Sequence, residues 1–130
     1  MKASLSNYRQ APRKTRLVTE LVKGKSVADA LLALRFLDKR ASRPVAKLIA
    51  SAAANAEKQG EDVRELFIRN ITVDKGTVLM RSMPRAFGRS APIRHRMSHI
   101  TVTLGKKAAA VAKRPKKPAR TAKKPAKAKK

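Results

Sequence analysis

Residues 77–104 read TVLMRSMPRAFGRSAPIRHRMSHITVTL, and this stretch decides the fold. It predicts two β arms meeting at a Gly-containing tip near Gly88, Arg89 and Ser90. On the returning arm Ile100, Val102 and Leu104 alternate with His99, Thr101 and Thr103, which is the pattern of a half-buried strand. Toward the tip the apolar face gives out. Arg81, Arg85, Arg89, Arg94 and Arg96 fall there with no acid among them. Arms running from Val78 to Gly88 would reach about 30 Å at roughly 3.3 Å per residue. A two-stranded ribbon so long and polar has no core of its own and is marginal alone in water. Its five cations make sense where an external polyanion lies along it, and nucleic acid is the obvious one.

The charge distribution points the same way. Of 33 Lys and Arg, 15 lie in residues 1–74 together with all eight acids, a net +7. The other 18 lie in residues 75–130 with no acid, a net +18. A half so charged is predicted to need a polyanion to stay compact. No basic amphipathic stripe suggests a membrane surface, and no apolar run approaches the ~18 residues of a membrane span. The opening MKASLSNYRQ lacks an apolar signal core, and no transit peptide is evident in the chain as given, so the expectation is a cytoplasmic protein. With no cysteine, disulfides and thiolate metal sites are excluded. Aromatics are few (Tyr8, Phe36, Phe67 and Phe87), which argues against a base-stacking reader of single strands.

Upstream of the hairpin, residues 3–9 predict an edge strand. Pro12 marks a helix start, with Leu17, Val18, Leu21 and Val22 as its apolar stripe and Gly24 as its stop. Arg13, Lys14 and Arg16 occupy the first turn, where the helix dipole disfavours cations. A nearby phosphate would reverse that penalty; a solvated basic face is the alternative. Ser26 opens a second helix with Asp29 in capping-box spacing, burying Val27, Ala30, Leu31, Leu34 and Leu37. A third helix is capped by Asp38 or by Ser42, and buries Val45, Leu48, Ile49, Ala52 and Ala56 before Gly60. Its small-residue run, 50–55, predicts close packing. Leu66 and Ile68 alternate out of phase with Ile71 and Val73, which predicts a β-bulge near Arg69 and Asn70. DKG at 74–76 is either a tight turn or a kink within one strand. The predicted fold is α+β: three helices on a small three-stranded antiparallel sheet, with the long hairpin protruding.

From Lys106 onward 12 of 25 residues are Lys or Arg and nearly all the rest Ala or Pro, which predicts a disordered tail over 106–130 after a folded domain of 1–105.

Catalytic signals are missing. His95 and His99 would lie roughly 13 Å apart on a strand, too far to share an ion. A phosphate- or base-contacting role ranks above a metal or catalytic one, alongside plain surface histidine. GKS at 24–26 lacks the upstream glycine of a phosphate loop, since position 19 is Thr19. No cofactor, metal or small-molecule substrate is expected.

Several segments together resemble the large-subunit ribosomal protein twenty-two family: APRKTRLV at 11–18, GKS at 24–26, SAAANAE at 51–57, VDKG at 73–76, PRAFGR at 84–89 and RMSHITV at 96–102. They occur in the family's order across 1–105. The resemblance implies a protein of the cytoplasmic ribosome that binds large-subunit (23S-type) rRNA, supports its assembly and neighbours other large-subunit proteins. It implies DKG within a long strand, and a hairpin whose tip (Pro84, Gly88, Arg89, Ser90, Ala91) lines the nascent-peptide tunnel. Implied rRNA contacts on the hairpin are Arg81, Arg85, Arg89, Arg94, Arg96 and His99; on the body they are Arg9, Arg13, Lys14, Arg16 and Lys25. Met80 departs from the basic residue common there, and the tail is an extension many bacterial members lack. The rival reading is a DNA-compacting, histone-like protein acting through that tail.

Overall fold

The computed structural model describes residues 1–106; the tail predicted to be disordered lies, from residue 107 on, outside the described residues. Strand β1 spans Lys2–Tyr8, and Ala11 then leads in extended conformation to helix α1, Pro12–Val22. Proline at the first helical position loses no hydrogen bond there. Gly24, at φ +79°, ends the helix, and its N–H donates to Ile68 O at 3.0 Å. Helix α2, Val27–Phe36, is capped as its sequence predicts. Asp29 N–H donates to Ser26 Oγ at 3.1 Å, and the Ser26 hydroxyl donates to Asp29 Oδ2 at 2.7 Å.

Helix α3, Ser42–Glu57, takes neither predicted cap. Ala41 holds the boundary position, and Ser42 is already helical, its hydroxyl donating to Leu37 O at 2.9 Å. Pro44 thus sits in the first turn, where it needs no N–H.

Two long strands complete the chain, β2 (Leu66–Pro84) and β3 (Ser90–Lys106). The antiparallel sheet has the order β1–β3–β2. Ile100 lies opposite Leu5 and Val73, Val102 opposite Ala3 and Ile71, and Leu104 opposite Ile68. Ile68, Ile100 and Val102 are wholly buried beneath Val45, Ile49, Ala52 and Ala56 of α3 and Val18 and Val22 of α1. Each large apolar side chain so buried contributes about 1.5–3 kcal/mol. The alanines bring α3 close to β1, where Asn55 Nδ2 donates to Lys2 O at 3.3 Å.

The predicted α1 stripe is half wrong. Leu17 and Leu21 are 66% and 42% exposed, and Thr15, Val18, Thr19 and Val22 are buried instead. The threonine hydroxyls bond the preceding turn, Thr15 to Ala11 O at 3.4 Å and Thr19 to Arg16 O at 3.0 Å, so burying them leaves no polar group unpaired. Leu31 and Leu37 are only partly buried against the core.

The ladder between β2 and β3 shifts register twice, at Ile68/Asn70 as predicted and again between Lys75 and Val78. DKG at 74–76 is therefore a kink inside one strand. Beyond it seven pairs run from Val78–Arg96 to Pro84–Ser90, carrying the ribbon about 20 Å past the body. The tip is Arg85–Arg89, closed by Arg85 N–H to Arg89 O at 2.8 Å, with Phe87 at its apex. Ser90 and Ala91 pair within the ladder, so the turn is centred earlier than the sequence suggests. At the other end β3 runs to Lys106, whose ammonium pairs with Glu61 at 2.5 Å and is held above its usual pKa by that hydrogen bond.

Candidate nucleic-acid interface

Residues directly opposite in an antiparallel ladder share a face. Arg94 and Arg96 therefore lie on one face of the hairpin with Met80 and Val78, while Arg81 lies on the other with Ile93. Arg85 and Arg89 bracket the tip. Cations thus reach both faces and the apex, all exposed, and no acid occurs after Asp74. The single ion pair among the described residues, Lys106–Glu61, is at the opposite end.

At the root of the hairpin β1 has ended while β3 continues, and the chain turns away from the sheet into α1. The gap is a concavity of about 790 Å³ lined by Arg9, Gln10, Ala11, Lys14, Arg40, Arg94, His95 and Arg96. Four predicted residues (Arg9, Lys14, Arg94 and Arg96) meet here from three parts of the chain. Gln10 contributes a buried side-chain oxygen with no hydrogen-bond partner in the protein. Both α1 and α3 begin beside this hollow, the latter located by the Tyr8 hydroxyl, which donates to Arg40 O at 3.3 Å. Neither helix has a side-chain cap or an acid in its first turn. Their N-terminal partial positive charges add to those of the side chains. Opposing acids are concentrated elsewhere: Glu57, Glu61, Asp62 and Glu65 cluster around the start of β2, far from the hairpin.

The other predicted contacts separate from this hollow. Arg16 donates to Val73 O and ties α1 to β2. Lys25 sits in the α1–α2 turn, its carbonyl accepting from Ile68 N–H at 2.9 Å, at the remote end of the sheet. His99 is half-buried, and its Nδ1 accepts from Asn7 N–H at 3.2 Å, bracing the turn that presents Arg9. Among the described residues no three His, Cys, Asp or Glu side chains gather as metal ligands, and no helix is long and apolar enough to cross a membrane.

The family model for ribosomal protein L22p/L17e matches residues 3–105, which take in the body, the hollow and the hairpin. The chain belongs to this family. Among its relatives is the large ribosomal subunit protein uL22 of Syntrophotalea carbinolica, 53% identical over 107 residues, 82% of this chain and 97% of the relative. The uL22 proteins of Citrifermentans bemidjiense and Geobacter sulfurreducens are 51% and 50% identical over 106 residues, 81% of this chain and 96% of each relative. Membership of the family accounts for the order of the motifs.

Arg40 joins the hollow with no local signal that marks it as a contact; His95, for which a phosphate- or base-contacting role ranks above a metal one, joins it as well. Arg40 arrives through a fold-level contact with Tyr8, 32 positions away, that no local spacing encodes. Strand alternation places His95 on the opposite face of the ribbon from Arg94 and Arg96, so its place on the rim of the hollow is not legible from their spacing. Phe87, at the apex, is a lone aromatic in a basic stretch and carries no pattern of its own.

Proposed function

We propose that this protein is a non-catalytic constituent of the large ribosomal subunit that binds 23S-type rRNA, supports its folding during assembly, and lines the nascent-peptide tunnel with its hairpin tip. The observation that carries this reading is the continuity of acid-free positive charge from the hollow at the hairpin root to the apex. Folded RNA brings phosphates of several helices close together. Arg9, Lys14, Arg94 and Arg96 neutralise one such crowd at the shoulder, Arg13 adds an exposed cation on the first turn of α1, and Arg81, Arg85 and Arg89 act along the ribbon. Lys25 adds a separate contact at the far end of the body. Arginine forks bond phosphate bidentately and stack on bases, so they bridge RNA segments rather than merely screen them. The proposed partners are rRNA, neighbouring large-subunit proteins and the nascent polypeptide, in the cytoplasmic ribosome.

Binding of purified large-subunit rRNA across a salt series tests the reading. Each cation that contacts a phosphate contributes about 0.7–0.9 to the slope of log K against log salt. Replacing Arg85, Arg89 and Arg94 with alanine should lower that slope by about 2 while the body stays folded. An unchanged affinity at moderate salt would remove the hairpin from the interface. Loss of binding on deletion of 106–130 alone would favour DNA compaction through the tail.

A further inference from the structure

Phe87 has 97% of its surface exposed, the highest value of any large apolar residue among those described. Its backbone lies at φ 57°, ψ 36°, a left-handed conformation that bulky side chains adopt rarely. Gly88 follows at φ 67°. The tip is nevertheless fixed, since Arg85 N–H donates to Arg89 O at 2.8 Å and Arg89 N–H to Ala86 O at 3.4 Å. A well-formed turn thus holds an aromatic ring in water in an unfavourable backbone state. Outliers of this kind persist where the surroundings or a ligand over-determine them.

The ring's neighbours indicate the ligand. Within Arg85–Arg89 the ring is the only large apolar side chain, so the tip itself offers no contiguous apolar patch of the kind that marks a protein contact. Arg85 and Arg89 instead close the turn two residues to either side of Phe87, and no acid occurs between Thr77 and Leu104. An exposed ring on a turn that carries an arginine at each end matches an unstacked nucleobase with a phosphate on either side.

We infer that Phe87 stacks on an unpaired nucleobase of the RNA that the hairpin enters, with Arg85 and Arg89 on the flanking phosphates. The inference rests on the rRNA-binding reading above and adds to it a base contact, which the scarcity of aromatics argued against.

The chain contains no tryptophan, so Phe87→Trp installs a single fluorescent reporter at the apex. Adding protein-free large-subunit rRNA should quench its emission; a complex that forms with the emission unchanged overturns the inference. Affinity gives an independent reading. Phe87→Leu keeps apolar bulk without a ring face, and Phe87→Asn suits the left-handed backbone, so a misformed tip cannot explain its effect. Both should bind rRNA about 5- to 150-fold more weakly, the range for one stacked base, while Phe87→Trp binds as wild type does. The slope of log K against log salt should stay unchanged for all three, because no cation is lost. Leu and Asn variants that bind as tightly as wild type overturn the stacking contact alone. Failure of the wild-type protein to bind rRNA would instead overturn the reading on which it rests.

Discussion

The guanidinium of Arg16 in α1 grips the carbonyl oxygen of Val73 in β2, with Nη2 at 2.9 Å and Nε at 3.3 Å. β2 is an edge strand, whose outward carbonyls need partners beyond the ladder. The contact lies just before the kink where the hairpin leaves the body. Because Arg16 is exposed, its charge-assisted bonds are partly screened by solvent. Arg16→Ala should lower stability by about 1 kcal/mol, and Arg16→Lys by roughly half of that, since lysine lacks the fork. Urea midpoints for the three proteins would measure this; equal midpoints would mean that the bond is replaced by water without loss.

Gly76 occupies the second register shift, where the chain passes close to the facing strand. A Cβ there would lie 3.1 Å from His99 Nε2 and 3.2 Å from both the carbonyl carbon and oxygen of Met97. Met97 lies in the register shift itself, held between the paired residues Arg96 and Ser98, which limits its freedom to retreat. Gly76→Ala should therefore destabilise the fold by about 1–2 kcal/mol, and Gly76→Val by more. Thermal unfolding checks the order; an alanine variant as stable as wild type would show that the kink relaxes freely.

Ser98 is fully buried, and its Oγ finds no hydrogen-bond partner among the described residues. An unsatisfied buried hydroxyl carries a desolvation penalty that a methyl group does not. Ser98→Ala is expected to raise stability by about 1 kcal/mol. A drop in the denaturation midpoint would reveal a partner for the hydroxyl.

Tyr8 joins β1 to the start of α3 through its hydroxyl. Burial raises its pKa above 10.0, against a smaller downward pull from Arg40. The folded state thus holds the phenolic proton more tightly than the unfolded chain does. The resulting stability is complete below pH ~10 and is lost as the pH climbs through the folded pKa. Subtracting the pH profile of Tyr8→Phe from that of wild type should leave a decline confined to the alkaline side. A flat difference would mean that the phenol titrates alike in both states.

The elements with strict periodicity were legible in the sequence. Alternation at Ile100, Val102 and Leu104 identified the central strand, and the phase slip after Ile68 located a bulge. The Ser26–Asp29 spacing identified a helix start. What escaped was information held in contacts between distant segments. Thr15 and Thr19 look polar in sequence, but their hydroxyls are satisfied within α1, which frees them to face the core in place of Leu17 and Leu21. The cap of α3 was sought among side chains that cap well, whereas Ser42 uses its hydroxyl to hold Leu37 O. At the interface, the arginines themselves were evident from composition. Their convergence with Arg40 and Gln10 depends on where β1 stops and α1 begins, a property of the assembled sheet.

The separation of acids from the hairpin has a consequence for motion in solution. Glu57, Glu61, Asp62 and Glu65 offset the lysines and arginines around them, whereas Arg81, Arg85 and Arg89 on the ribbon have no such compensation. Among the described residues the centre of charge is therefore displaced from the centre of mass toward the ribbon. On the described residues alone, an approaching polyanion exerts a torque that turns the ribbon toward it before contact. The fold thereby narrows the range of productive encounters, and added salt shortens the distance over which that alignment acts.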